Sequence, residues 1–316
     1  MAVITQNYPA QTAVIHTNFY TQSLKSNPDD GFELAAYTSR EDMRSFIAEQ
    51  SYYGLGLYYE GPQLTTVNYD QPGQAYKAVL GFATFKLACE VSKEMLMEDE
   101  FGIVPTIPQM LRFSAQLTRN KKIWALLNLA FTSTVLGGDG VALASTAHPL
   151  AKIPGVTLSN SQGTAAISPS VIQTMLLNYQ LYKDDTNNED FRTPVKLWVP
   201  PQLQQAAQEI IGTGPKAPYT TNNTINIHMG RLEVGVSRFL TSSTAYFIVG
   251  NKCPDVVNGH QLEFAPDAHR LKYAEEWPES ITIFDAPAVL GLNIMGDLRF
   301  GVFFSDWRAV ECAQGA

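Results

Sequence analysis

Residues 52–91 read YYGLGLYYEGPQLTTVNYDQPGQAYKAVLGFATFKLACEV, followed by TIPQMLRFSAQLTRNKKIWALLNLAF at 106–131 and GDGVALASTAHPL at 138–150. In the first stretch Tyr52, Leu55, Leu57 and Tyr59 lead into Glu60-Gly61-Pro62, and a polar span reaches Gly73 before a β-prone run from 75 to 91. The pattern predicts two long strands joined by a loose tip, because Pro62 and Pro72 keep the tip from pairing as a regular hairpin. So polar an excursion has little to bury within its own subunit, so it needs a neighbour or stays mobile. Ser92 is placed to cap a short helix over 93–100, ended by Phe101-Gly102. A second helix begins at Thr106 with Pro108 in its first turn, where a missing N–H costs nothing. Its apolar residues Ile107, Met110, Leu111, Phe113, Leu117, Trp124, Leu127 and Phe131 keep a 3.6-residue period. Unbroken, it spans about 37 Å at ~1.5 Å per residue, the length of a spine. The Gly137-Gly138-Asp139-Gly140 cluster then turns the chain sharply.

Outward from this stretch, residues 1–50 are polar and weakly patterned, with a turn at 26–31 and a short helical candidate at 39–49; they read as an arm. On the other side come a short strand at 141–143, a helix opened by Ser168-Pro169 and running to about 182, an acidic loop at 184–190, a buried strand at 195–199 and a helix from Pro200-Pro201 through 211. Strands follow at 231–236, 246–249, 261–264, 280–285 and 290–304. Helices and strands mix without a βαβ rhythm and no repeat is present, so the class is α+β.

The chain has 316 residues, 45% hydrophobic and 16% charged, enough to bury a full core as one domain or two. A formal net charge of −8 argues against gripping phosphates through a basic patch. No run of 18 apolar residues suggests a membrane span, and the N-terminus lacks the pattern of a signal peptide, so cytosolic synthesis is expected. Cys89, Cys253 and Cys312 form no CxxC pair, and the five His show no HxxxH or HxH spacing; neither a disulfide framework, a metal site nor a cofactor is expected. Ser145 and His148 could be read as a nucleophile and its base, but no GxSxG elbow surrounds them; a hydrogen-bonded turn is the competing reading. The 184–190 loop has the oxygen density of a calcium loop but lacks its central glycine and bidentate Glu, and reads as a solvated loop. The glycines at 137–140 follow a helix where a nucleotide-binding loop follows a strand.

SKEMLMEDEFG at 92–102, ALLNLAFTST at 125–134 and GDGVALASTAHPL at 138–150 resemble the major capsid proteins of tailed bacteriophages, in the Mu-type major head subunit group. WVPPQLQQAAQEII at 198–211, GRLEVGVSRFLTSSTAYFIVG at 230–250 and FGVFFSDWRAV at 300–310 continue the resemblance in the same order, so that it covers about residues 54–312. It implies the Hong Kong ninety-seven coat fold: an N-terminal arm (1–51), an E-loop hairpin with a P-domain strand (52–91), P-domain helices including the spine (92–131), an A-domain (132–289) and return strands of the P-domain (290–316). Tyr59, Leu64, Val67 and Tyr69 are then the E-loop contacts on an adjacent subunit, and Trp124 and Leu127 the core of the spine helix. Gly138, Asp139, Gly140, His148 and Pro149 form the turn from spine to A-domain. The implied function is self-assembly, as hexamers and pentamers, of an icosahedral shell around double-stranded DNA that it binds without sequence preference. It implies a place in the virion head, assembly in the host cytoplasm, and no membrane partner. With only about fifty residues before the hairpin, a separate scaffold is expected, alongside a portal and decoration proteins. With no Lys between Gly61 and Gly73, cohesion is expected to be noncovalent. An encapsulin-like cargo shell is the alternative on the same fold, and a soluble hydrolase the alternative outside it.

Overall fold

The computed structural model describes residues 36–39, 46–61, 66–67, 69–99, 102–190, 192–212, 226–252, 256–257, 260–261, 271–286 and 291–316. In chain order its elements are β1 (Ala36–Ser39), β2 (Phe46–Tyr53), β3 (Gly73–Gly81), β4 (Ala83–Ser92), α1 (Lys93–Met97), α2 (Ile107–Asn128), β5 (His148–Pro149), β6 (Thr157–Leu158) and α3 (Pro169–Leu181). They continue with β7 (Arg192–Val199), α4 (Gln204–Ile211), β8 (Glu233–Val236), β9 (Tyr246–Lys252), β10 (Val256–Val257), β11 (His260–Gln261), β12 (Leu271–Ala286), β13 (Gly291–Phe304) and β14 (Val310–Ala313).

Two four-stranded sheets organise these elements. The first, in the order β1-β12-β13-β4, is built on the long antiparallel pair β12/β13, with β4 antiparallel on the other side of β13. The β12 register slips on both sides of Trp277, next to Pro278, which has no N–H to give to a ladder. Helix α2 lies on this sheet. Ile107 and Leu111 of its first half pack with Val91, Leu96, Ile281, Leu292 and Ile294. The second sheet, in the order β14-β9-β7-β8, carries α3 and α4. The largest core joins the two units, running from Ile123, Trp124 and Leu127 of α2 to Trp198, Phe247, Val249, Trp307 and Val310. The pair β2/β3 stands apart as a hairpin, seated by Ala78 and Leu80 on Ala274 and Phe303.

Ser92 Oγ accepts the Met95 N–H at 3.2 Å and Ser168 Oγ the Val171 N–H at 3.4 Å, the two caps that the sequence marks. Several elements differ from the sequence expectation. Part of the 39–49 helical candidate is strand, because β3 offers residues 46–53 backbone partners that so short a helix, with no core to rest on, would not replace. The run from 75 to 91 is two strands in different sheets, split at Phe82, and residues 54–61 are not strand at all. Helix α1 stops at Met97 and α2 at Asn128. In place of a strand at 141–143 there is one bridge, Leu136 to Ala142. The expected boundary at 289/290 cuts through the β12/β13 pair, whose shared ladder puts 271–286 on the first sheet, while 310–313 crosses to the second. Among the described residues no helix is long and apolar enough to cross a membrane.

Candidate assembly arm and the hub at its root

Between the end of β2 and the start of β3 the chain leaves the body as an arm. Of the contact residues expected there, Tyr59 is 77% exposed, Val67 71% and Tyr69 89%. Leu64 lies outside the described residues. Leu55, Leu57 and Tyr58 are also open to solvent, so nearly every large apolar side chain described on the arm faces water. Sequence reading set Leu55 and Leu57 into a strand; the ladder between β2 and β3 ends at the Tyr53–Gly73 pair, so both lie beyond it.

The hub at the arm's root begins with the glycine turn. Gly140 has φ +75°, a conformation natural to glycine, and a Cβ on Gly138 would sit 2.9 Å from the Lys77 carbonyl carbon of β3. The turn therefore bears directly on the hairpin. Asp139 Oδ2 meets His148 Nδ1 at 2.7 Å, and His148 Nε2 lies 3.2 Å from Asn160 Oδ1. Asn160 is oriented by its amide nitrogen, which donates to the carbonyls of Leu143 (2.7 Å) and Val310 (2.9 Å), so its oxygen faces the imidazole. Both ring nitrogens thus face acceptors. Fully buried, His148 also stacks on Trp307 with centroids 4.2 Å apart. Ser145 Oγ accepts the Ala147 N–H at 3.1 Å. With both its nitrogens engaged, His148 has none to serve as a base for that serine. Pro149 pairs with Thr157 across β5/β6.

The Asp-Trp-Arg run at 306–308 ties the acidic loop into the hub. Arg308 binds Asp185 at 2.9 Å and donates to the Lys183 carbonyl at 2.9 Å, and Asp306 bridges it to Arg192, which is also held by Asp190 at 2.7 Å. Burial works against the Arg308 charge, but Asp306 and Asp185 outweigh burial and hold the guanidinium more firmly protonated than usual. The expected solvated loop is in its Asp185 and Asp190 a counterion set for buried arginines; charge composition alone gives no sign that Arg192, two residues beyond Asp190, is buried, or that Arg308 arrives from over a hundred residues away. Deeper in, Tyr182 donates a short hydrogen bond to Glu311, whose carboxyl burial pushes up to about 7. Between hairpin and hub lies a cavity of about 620 Å³ lined by Tyr52, Tyr76, Asp184, Asp185 and Arg308. Among the described residues no group of three or more His, Cys, Asp or Glu could hold a metal ion. Trp124 and Leu127 are fully buried, and Trp124 meets Trp198 of β7 edge to face at 4.9 Å. Asn160 and the pairing of Asp185 with Arg308 escaped sequence reading, since their roles depend on partners brought together only by folding.

A model of the phage capsid protein family matches residues 78–312. The capsid of the native GTA particle shares the fold at 9% identity, with 93% of this chain and 92% of that chain covered and a TM-score of 0.57. The capsid of cyanophage P-SCSP1u is similar at 9% identity, 94% and 91% coverage and a TM-score of 0.57. So is the capsid of bacteriophage JBD30 decorated with minor capsid protein trimers, at 14% identity, 76% and 100% coverage and a TM-score of 0.54. No curated protein matches the sequence.

Proposed function

The chain belongs to the phage capsid protein family, and from that premise we propose that it builds the icosahedral head shell of a tailed phage of the Mu-type group, as hexamers and pentamers enclosing double-stranded DNA. The reading assigns residues 54–72 as the E-loop, the first sheet with α2 as the P-domain and the second sheet as the A-domain. One observation carries it: an arm that leaves the body with Leu55, Leu57, Tyr58, Tyr59, Val67 and Tyr69 exposed. A soluble monomer gains nothing from such a row, whereas burial against a second copy removes it from water at about 1.5 kcal/mol or more for each side chain fully covered. Association offsets much of that gain, so each contact is weak enough to anneal, and the many contacts per copy close the shell. Contacts that close into rings are heterologous, arm on one copy and seat on the next. With no Lys between Gly61 and Gly73, this cohesion is noncovalent. The net charge of −8 suits a shell that encloses DNA without gripping its phosphates. Assembly takes place in the host cytoplasm with a separate scaffold and a portal, and the chain performs no catalysis.

Negative-stain imaging of the expressed chain tests the proposal, beside a variant in which a short Gly-Ser linker replaces residues 55–71. Closed shells from the first and folded, unassembled subunits from the second are expected. Shells formed in equal yield by the linker variant would remove the arm from the mechanism.

A further inference from the structure

No described apolar side chain anchors the arm, yet the arm has a defined direction, and one carboxylate accounts for it. Asp70, on the returning limb, accepts the Gly56 N–H of the outgoing limb at 2.7 Å and the Gln71 N–H at 2.9 Å. Both its oxygens also take Lys152 Nζ, at 3.0 and 2.7 Å. Lys152 belongs to the turn between β5 and β6, beyond the hub, and its ammonium lies 5.6 Å from the centroid of the Tyr53 ring at the end of β2. Three segments that are distant in sequence, the two limbs of the arm and the body, therefore meet at one side chain. The space around it is built for the contact: a Cβ on Gly56 would stand 3.2 Å from Asp70 Oδ2. Below this point the arm's base is already seated, with Gly138 against the backbone of β3. The base sets where the arm begins. Asp70 is placed to set where it points.

We propose that Asp70, clasped by Lys152, is the positioning residue of the arm, holding it at a fixed angle to the body so that a free subunit meets its neighbour with the arm already aimed. This rests on the arm's role in assembly given above. Pre-aiming lowers the ordering cost that a loose arm would meet at each contact, which raises the rate and yield of assembly without adding a contact to the finished shell. A charge-assisted clasp between partly exposed groups is modest in strength, so its loss shifts the aimed fraction by roughly three- to fivefold and leaves the fold intact.

The test uses the full chain below its assembly concentration. In Asp70→Asn and Lys152→Gln, limited proteolysis and hydrogen exchange of residues 55–69 should quicken roughly three- to fivefold, with the unfolding midpoint unchanged. Lys152→Arg, which keeps a cation able to bind both carboxylate oxygens, should restore protection. Light scattering at assembling concentration should show slower growth for the first two variants and normal growth for the third. Unchanged protection of the arm in Asp70→Asn and Lys152→Gln would overturn the clasp. A loosened arm with unchanged assembly would overturn its positioning role. Neither outcome is confused with failure of the assembly reading, which the linker variant reports separately.

Discussion

At the residue scale, the buried carboxyl of Glu311 makes a prediction whose sign can be worked out. Its partners include the Tyr182 hydroxyl and the Gln162 amide at 3.3 Å, and burial raises it from an ordinary 4.5 to about 7. Between those values the folded state holds a proton that the unfolded chain has released, so stability falls as pH rises through this window and levels off above it. The full span corresponds to on the order of 3 kcal/mol. Glu311→Gln keeps the shape and removes the charge. Denaturant unfolding from about pH 5 to about pH 8 should show the wild type losing stability relative to the variant as pH rises; a constant difference would refute this. Gly138→Ala tests the turn. Its added methyl meets the Lys77 backbone at 2.9 Å and should cost about 1–3 kcal/mol by the same measurement.

At the element scale, α2 serves both units. Its first half packs on the first sheet, and its last turns enter the core of the second through Trp124 and Leu127. Trp124→Ala should cost about 3–5 kcal/mol. Pairing it with Trp198→Ala in a double-mutant cycle should give a coupling of about 0.5–1.5 kcal/mol from the edge-to-face contact. Arg119, which is largely buried, binds Glu275 at 3.1 Å and Glu279 at 3.0 Å on the irregular part of β12. Arg119→Met would take the buried cation from Glu275, while Glu279 keeps Arg112 at 2.8 Å, and should cost about 3 kcal/mol in thermal or denaturant unfolding. The helix is legible in its sequence because burial on one side enforces a period. Its ion pairs are not, since Glu275 and Glu279 reach it only through the bulged pairing of β12 with β13.

At the scale of the whole molecule, each subunit carries a net charge of −8, and copies repel as they approach. Raising ionic strength from ~0.01 M to ~0.15 M shortens the screening length from about 30 to about 8 Å. Light scattering should then show a lower threshold concentration for assembly. The same salt weakens the exposed Asp70–Lys152 clasp, so the aimed fraction of free subunits, read by proteolysis of the arm, should fall over the same range. A fall in both, easier assembly beside a looser arm, would separate repulsion between copies from order within one.

By itself the sequence determined the class of the fold, the spine helix, the helix starts at Ser92 and Ser168 and the presence of a loose polar excursion from Gly61 to Gly73. Each is a local matter: a period, a cap, a proline, or a stretch too polar to fold on itself. Only the tertiary structure decided which strands share a sheet, sending 271–286 to the spine and 310–313 to the other unit, because pairing in a sheet depends on register between segments that local pattern leaves open. It also decided that the acidic loop neutralises Arg192 and Arg308, that His148 is held by Asp139 and Asn160, and that Asp70 meets Lys152. Electrostatic and hydrogen-bonded partners are chosen by proximity in space, and a charge in a sequence does not carry the address of the group it will meet.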